Sequence, residues 1–202
     1  LEIVSPKVFY DELAGGWCNR LVTYVMEKDI KNENYDKSAF NLGISGDTSK
    51  GVLDRIVNES KIRVGDNNVL VLSIGVNDSQ YEMVSGKNKI AVHQTIHNLT
   101  EAVSVSSHLF DKIVVVGIAP VWDPRIQPMA WKPTHGYSNE HISRYNTALQ
   151  KFAQSNAFQF IELSDVYDDV DQCLPDGIHP NAHGHQLIFE RVRESLEKEH
   201  IL

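Results

Sequence analysis

Two short apolar runs constrain this chain most. Val69-Leu70-Val71-Leu72-Ser73-Ile74 and Ile113-Val114-Val115-Val116-Gly117-Ile118 carry almost no polar side chain. A strand with one wet face alternates apolar and polar residues. A strand apolar at nearly every position fits burial on both faces, as in a parallel sheet. Around these runs lie segments with apolar residues at helical spacing: Trp17, Leu21, Tyr24 and Val25; Val52, Leu53 and Ile56; Ile90, Val92, Ile96, Leu99 and Val103 within 89–106; Ile142, Tyr145, Leu149 and Phe152 within 139–156; and Leu187, Ile188, Val192 and Leu196 within 182–198. Shorter apolar stretches at 1–4, 39–42 and 158–163 read as further strands. Strand and helix therefore alternate, which predicts an α/β fold with a doubly wound, mostly parallel sheet and helices on both faces.

Length and composition narrow the class. The 202 residues suffice for one α/β domain spanning 1–202. Hydrophobic residues at 42% and charged residues at 23% are ordinary for a globular protein. A net charge of -8 argues against nucleic acid or an anionic membrane as the main partner. No apolar run reaches membrane-spanning length, and the first residues show no basic start followed by an apolar stretch. Cys18 and Cys173 are too few for a disulfide framework and read as free thiols. A cytoplasmic location is the expectation.

Three polar corners fall where ligands collect in such folds, at the carboxyl ends of strands. The first is Gly43-Ile44-Ser45-Gly46-Asp47-Thr48-Ser49, where glycine allows a backbone N–H to approach a ligand and Asp47 or Thr48 can cap the next helix. The second is Gly75-Val76-Asn77-Asp78, with Asn77 placed to point into a site or, more plainly, to cap the following segment. The third is Asp176-Gly177-Ile178-His179-Pro180-Asn181. Gly177 and Pro180 keep it out of regular helix, so Asp176 and His179 can be aimed at one point. An aspartate bonded to one ring nitrogen of a histidine fixes the tautomer and leaves the other as a base. The plainer reading is a polar surface turn. Between the last two corners, 123–137 holds three prolines and reads as a long irregular loop that shapes a pocket.

Taken together, the three corners resemble the motif blocks of the SGNH, or GDSL-like, hydrolase family, in the right order and over nearly the whole chain. The glycine-rich corner looks like the second block, Gly75-Val76-Asn77-Asp78 like the Gly-x-Asn-Asp block, and Asp176 to His179 like the terminal Asp-x-x-His block; 11–21, with Gly15-Gly16-Trp17, is similar to the segment after the first block in small bacterial members. The resemblance implies a three-layer α/β/α, flavodoxin-like fold and a serine esterase of carboxylic esters. His179 would be the general base, Asp176 its orienting partner, and Gly46 and Asn77 oxyanion-hole donors. It implies a small-molecule ester substrate, no cofactor and no metal, and it leaves the oligomeric state open.

The sequence departs from the family at the first block, whose Gly-Asp-Ser carries the nucleophile. No Gly-Asp-Ser occurs. One expectation is a serine preceding Leu1, since a strand of four residues is short for the middle of a sheet, where about 5–6 is usual. The other is Ser5, which lies 12 residues before Trp17, with Ile3-Val4 in place of Gly-Asp. Ser45 sits in the oxyanion block and lacks a Gly-x-Ser-x-Gly elbow.

Three rival readings remain. His179, His183 and His185 cluster, and His93 and His97 stand four apart on a helix, as zinc ligands do. No glutamate follows His93 to act as base, and His183 and His185 read as solvated residues starting the last helix. Gly43 and Gly46 could cradle phosphate, but neither nucleotide-binding glycine signature is present. A relative that kept the fold and lost the nucleophile is the third. Trp122, Trp131, Phe9 and Tyr10 are candidates to line an acyl pocket.

Overall fold

The structure is a computed structural model that describes residues 15–33 and 37–202. In chain order its elements are α1 (Trp17–Lys31), α2 (Ser49–Ser60), β1 (Val69–Ser73), α3 (Val76–Ser79), β2 (Tyr81–Glu82), α4 (Val92–Ser106), a 3-10 turn (Ser107–Leu109), β3 (Lys112–Val116), α5 (Asp123–Ile126), β4 (His135–Gly136), α6 (Asn139–Ser155), β5 (Gln159–Ile161), α7 (Val170–Cys173) and α8 (Ala182–Lys198). The main sheet runs β1-β3-β5, all parallel, with Leu72 opposite Val115 and Val115 opposite Phe160.

The pleat divides the interior in two. Ile113 and Val115 join Leu72 under Val52 and Ile56 of α2, Leu99 and Val103 of α4, and Tyr145, Leu149 and Phe152 of α6. Val114 and Val116 point the other way, with Trp17 and Leu21 of α1 and Ile188, Val192 and Leu196 of α8. Successive strand residues face opposite layers, so a strand that must feed both layers has to be apolar throughout, as β3 is. This is the three-layer α/β arrangement expected from the alternation.

Several expectations need correction. Within β1 only Leu72 is fully buried, and Val69 is 37% exposed. Among the described strands β1 pairs on one side only, so its neighbours cover it less than they cover β3. No strand forms at 39–42. There the Asn41 side chain accepts the Gly43 N–H and turns the chain, a local bond that competes with sheet pairing. The 89–106 helix starts at Val92. The polar stretch from Asp29 to Ser38 reads in the sequence as a surface loop, but α1 continues through Lys31 and buries Asp29, whose Oδ2 accepts the Lys37 N–H at 3.0 Å. The 123–137 segment is not irregular throughout, since it contains α5 and β4, and β4 pairs antiparallel with β2. The stretch 1–4, Ser5, Phe9 and Tyr10 lie outside the described residues. Among the described residues, no helix is long and apolar enough to cross a membrane.

Candidate active site

The histidine turn is built almost entirely from itself. Asp176 Oδ1 accepts the backbone N–H of Ile178 at 3.0 Å and of His179 at 2.8 Å. Its Oδ2 lies 2.7 Å from His179 Nδ1. Burial pushes the Asp176 carboxyl up, but the His179 ring and the two backbone N–H groups outweigh it and hold the pKa below the ordinary value. Asp176 is therefore the anionic partner, and Nδ1 is the protonated nitrogen. Gly177 has φ +96, and a Cβ there would come within 3.0 Å of the Cβ atoms of Arg125 and Ile126, so the turn needs glycine both for its backbone and for that contact.

The turn is pinned at both ends. Trp122 donates its N–H to Gly177 O at 2.8 Å. Asn181 caps α8 by accepting the Gly184 N–H at 3.0 Å, and its own N–H reaches Cys173 O at 2.9 Å. Trp131, 55% exposed, stacks beside the His179 ring with centroids 6.1 Å apart.

The corner after β1 is built by distant contacts. Gly75 turns the chain at φ +117 with Ile118 packed against it. Asp78 is wholly buried. Its carboxylate accepts the Ser49 N–H at 3.0 Å, the Ser49 hydroxyl at 2.5 Å and the Thr95 hydroxyl at 2.8 Å. It thus fastens the start of α2 and the first turns of α4 to the end of β1. Asn77, beside it, accepts the Tyr137 hydroxyl at Oδ1 over 3.3 Å.

Gly46 stands at φ +72, and a Cβ built on it would have nothing within 4 Å. The loop is shaped by Asp47, whose carboxylate takes both Nε and Nη2 of Arg55 at 3.1 and 2.7 Å, while Arg55 Nη1 donates to Leu42 O at 2.9 Å. Through Ser49 and Asp78 the glycine corner is tied to the Asn77 corner. Through Trp122, Trp131 and Tyr137 the 122–137 segment touches both the Asn77 corner and the histidine turn. The fold thus links all three corners.

A family model described as "GDSL-like Lipase/Acylhydrolase family" matches residues 10–187. The chain belongs to that family. It is 24% identical over 149 residues, 73% of its length, to a "Multidomain esterase" from Ruminococcus flavefaciens, and spans only 18% of the length of that protein. Among solved structures it is similar to an acetylxylan esterase from Geobacillus stearothermophilus, with TM-score 0.69, 17% identity, and 93% of this chain and 83% of that one covered. It is also similar to a lipase/acylhydrolase from Enterococcus faecalis, at TM-score 0.67 and 20% identity over 88% and 85% of the two chains. A third likeness is to the psychrotrophic esterase EstA from Pseudoalteromonas, at 0.62 and 20% over 91% and 86%. At these identities the structures speak for the GDSL-like fold.

Within this GDSL-like fold the histidine cluster separates into three environments. His185 is not solvated but 1% exposed, and its Nδ1 accepts the Trp17 N–H at 3.3 Å. Burial, with the charges of Arg20 and His179, lowers its pKa to about 4. His183 is exposed and pairs with Asp168 at 3.1 Å. Together with Cys173 these two form a group whose ligand atoms lie within 4.8 Å of one another. The group is hydrogen-bonded within itself, and burial and Asp168 push the Cys173 thiol up to about 11. His93 and His97 face solvent on α4. Cys18 and Cys173 are not joined in a disulfide.

Three contributions are not legible in the sequence. With Asn77, Asp78 reads there only as a cap for the following segment, whereas it fastens the start of α2 through Ser49; the acidic residue that closes Gly-x-Asn-Asp is the available signal. Tyr137 carries no signal, because nothing local links it to Asn77. Trp131 is expected in a pocket wall, and its stacking on His179 is a tertiary contact.

Proposed function

We propose that this GDSL-like chain is a serine esterase that hydrolyses small carboxylic esters through an acyl-enzyme. The observation that carries the reading is the 2.7 Å Asp176–His179 contact, with a pKa shift that keeps Asp176 ionised. With Nδ1–H committed to Asp176, Nε2 on the opposite side of the ring is the basic nitrogen. It takes the proton of a serine hydroxyl as that oxygen attacks the ester carbonyl. The tetrahedral oxyanion is held by the Gly46 N–H and the Asn77 side-chain amide together with the N–H of the serine itself. The imidazolium, stabilised by Asp176, returns its proton to the departing alkoxide. Water then repeats the sequence on the acyl-enzyme and releases the acid and the serine. Trp131 beside His179 offers a flat apolar wall to the leaving group. No step needs a cofactor.

The nucleophile is a serine of the N-terminal block, Ser5 or one preceding Leu1. The deciding experiment combines hydrolysis of p-nitrophenyl acetate by the full-length protein with a fluorophosphonate probe and peptide mapping. Turnover, with a single adduct on a serine at or before Ser5, is the expected result. An adduct on Ser45 would relocate the nucleophile. Neither turnover nor adduct would leave a GDSL-like fold used for binding.

A further inference from the structure

Beside the Asn77 corner runs a file of side chains with one feature in common. Lys132 Nζ lies 3.3 Å from Gln80 Oε1, Gln80 Nε2 lies 2.9 Å from the Tyr137 hydroxyl, and that hydroxyl lies 3.3 Å from Asn77 Oδ1. Each direction is fixed by the chemistry of its neighbours. An ammonium only donates, so the Gln80 oxygen belongs at the Lys132 end. The same Gln80 nitrogen also points at Met129 Sδ, 3.7 Å away, and a thioether only accepts. Gln80 therefore donates to Tyr137. Having accepted from Gln80, Tyr137 directs its own hydrogen to Asn77. Burial raises the Tyr137 pKa despite the opposing bond from Gln80, so the hydrogen is retained. The Asn77 oxygen is thereby held at the tyrosine end and its NH2 is turned the other way.

We propose that Lys132, Gln80 and Tyr137 form a one-way hydrogen-bond relay that locks the Asn77 amide with its NH2 toward the reacting ester and strengthens it as a donor. The inference rests on the oxyanion reading of Asn77. An asparagine amide is nearly the same shape when flipped by half a turn, but flipped it would present an oxygen to a developing oxyanion. The relay removes that alternative before substrate arrives. Each bond in the file also polarises the next in the sense that makes the final N–H more acidic. The three side chains are positioning residues; none need touch substrate.

The discriminating variant is Gln80→Glu. It preserves shape and keeps a partner for Lys132, but a carboxylate cannot donate to Tyr137; it draws the tyrosine hydrogen away from Asn77. A packing role for Gln80 predicts no change. The relay predicts a fall in kcat of about tenfold, the scale of one charge-assisted hydrogen bond, with KM for p-nitrophenyl acetate altered less than about twofold. Tyr137→Phe has the same effect. Both effects vanish in the Asn77→Ala background, because there is no amide left to orient. A second readout needs no turnover: in 15N–1H spectra the Asn77 side-chain NH2 signals shift in Gln80→Glu and in Tyr137→Phe. The relay is overturned if those signals stay put, if both single variants keep wild-type kcat while Asn77→Ala is slow, or if their losses persist undiminished on Asn77→Ala. Unchanged turnover in Asn77→Ala itself would remove the oxyanion reading instead.

Discussion

The histidine turn and the Asn77 corner are built on opposite plans. Asp176 and His179 are three residues apart, and the bonds that set their geometry run within the same four residues. The Asn77 corner is held by partners far along the chain: Ser49 and Thr95 on Asp78, and Tyr137 on Asn77. A site made by local bonds carries its own geometry wherever the fold places it. A site made by remote bonds is as good as the packing around it. Damage to the first should therefore cost chemistry alone, while damage to the second can cost chemistry, stability or both, depending on which residue is changed.

The largest effect should come from His179→Ala. Loss of the proposed general base is expected to reduce kcat about ten-thousandfold, equivalent to about 5.5 kcal/mol of barrier, with the urea midpoint unmoved. A variant that also unfolds would show that the turn supports the fold after all. Next is Asn77→Ala, expected to lower kcat by about a hundred- to a thousandfold, or about 2.7–4 kcal/mol, again without loss of stability in denaturant titration.

Its neighbour should behave differently. Asp78→Ala strips the acceptor from the buried Ser49 and Thr95 groups and should cost roughly 2–3 kcal/mol of unfolding free energy by urea titration. Activity would fall alongside, because the Gly46 and Asn77 corners, the proposed oxyanion donors, are both fastened through this carboxylate. Normal stability in Asp78→Ala would break the contrast between the two regions.

The smallest effect is a pH dependence that sharpens it. His185 starts the helix after the histidine turn and is held neutral, with its pKa near 4 against 6.5 unfolded. The unfolded chain takes up this proton as the pH falls through 6.5, and the folded chain does not until about 4. Stability from this group is thus complete above 6.5 and declines below it. Between pH 7 and pH 5 the loss should be about 2 kcal/mol. Urea titrations at the two values check it, and His185→Gln should flatten the difference.

The same local-versus-remote distinction explains what can be read from sequence. The alternation of apolar runs and amphipathic segments reveals the layers, since pleat and helical period are local properties. Asp176 and His179 are legible because three residues and a glycine suffice to bring them together. Asn77 can be placed at a strand end, whereas the strand expected before Gly46 does not form; and the reason their corners are joined, the Ser49–Asp78–Thr95 knot, links three elements that no spacing rule connects. The burial of His185 is hidden for the same reason. Its position at a helix start suggests water, whereas α1 packs over it through Trp17. The 39–42 stretch misleads in the other direction, because one asparagine side chain diverts a segment whose composition favours a strand.

The uniform burial of Ile113 to Val116 has a consequence for handling the protein. Whenever the layers separate, the β-branched residues Ile113 to Val116 and Ile118 are exposed together, and just Asp111 and Lys112 precede them with charge. Such a segment pairs readily with its copies on other chains. Heated samples should precipitate rather than refold, so thermal midpoints would report a rate of loss that depends on scan speed and protein concentration.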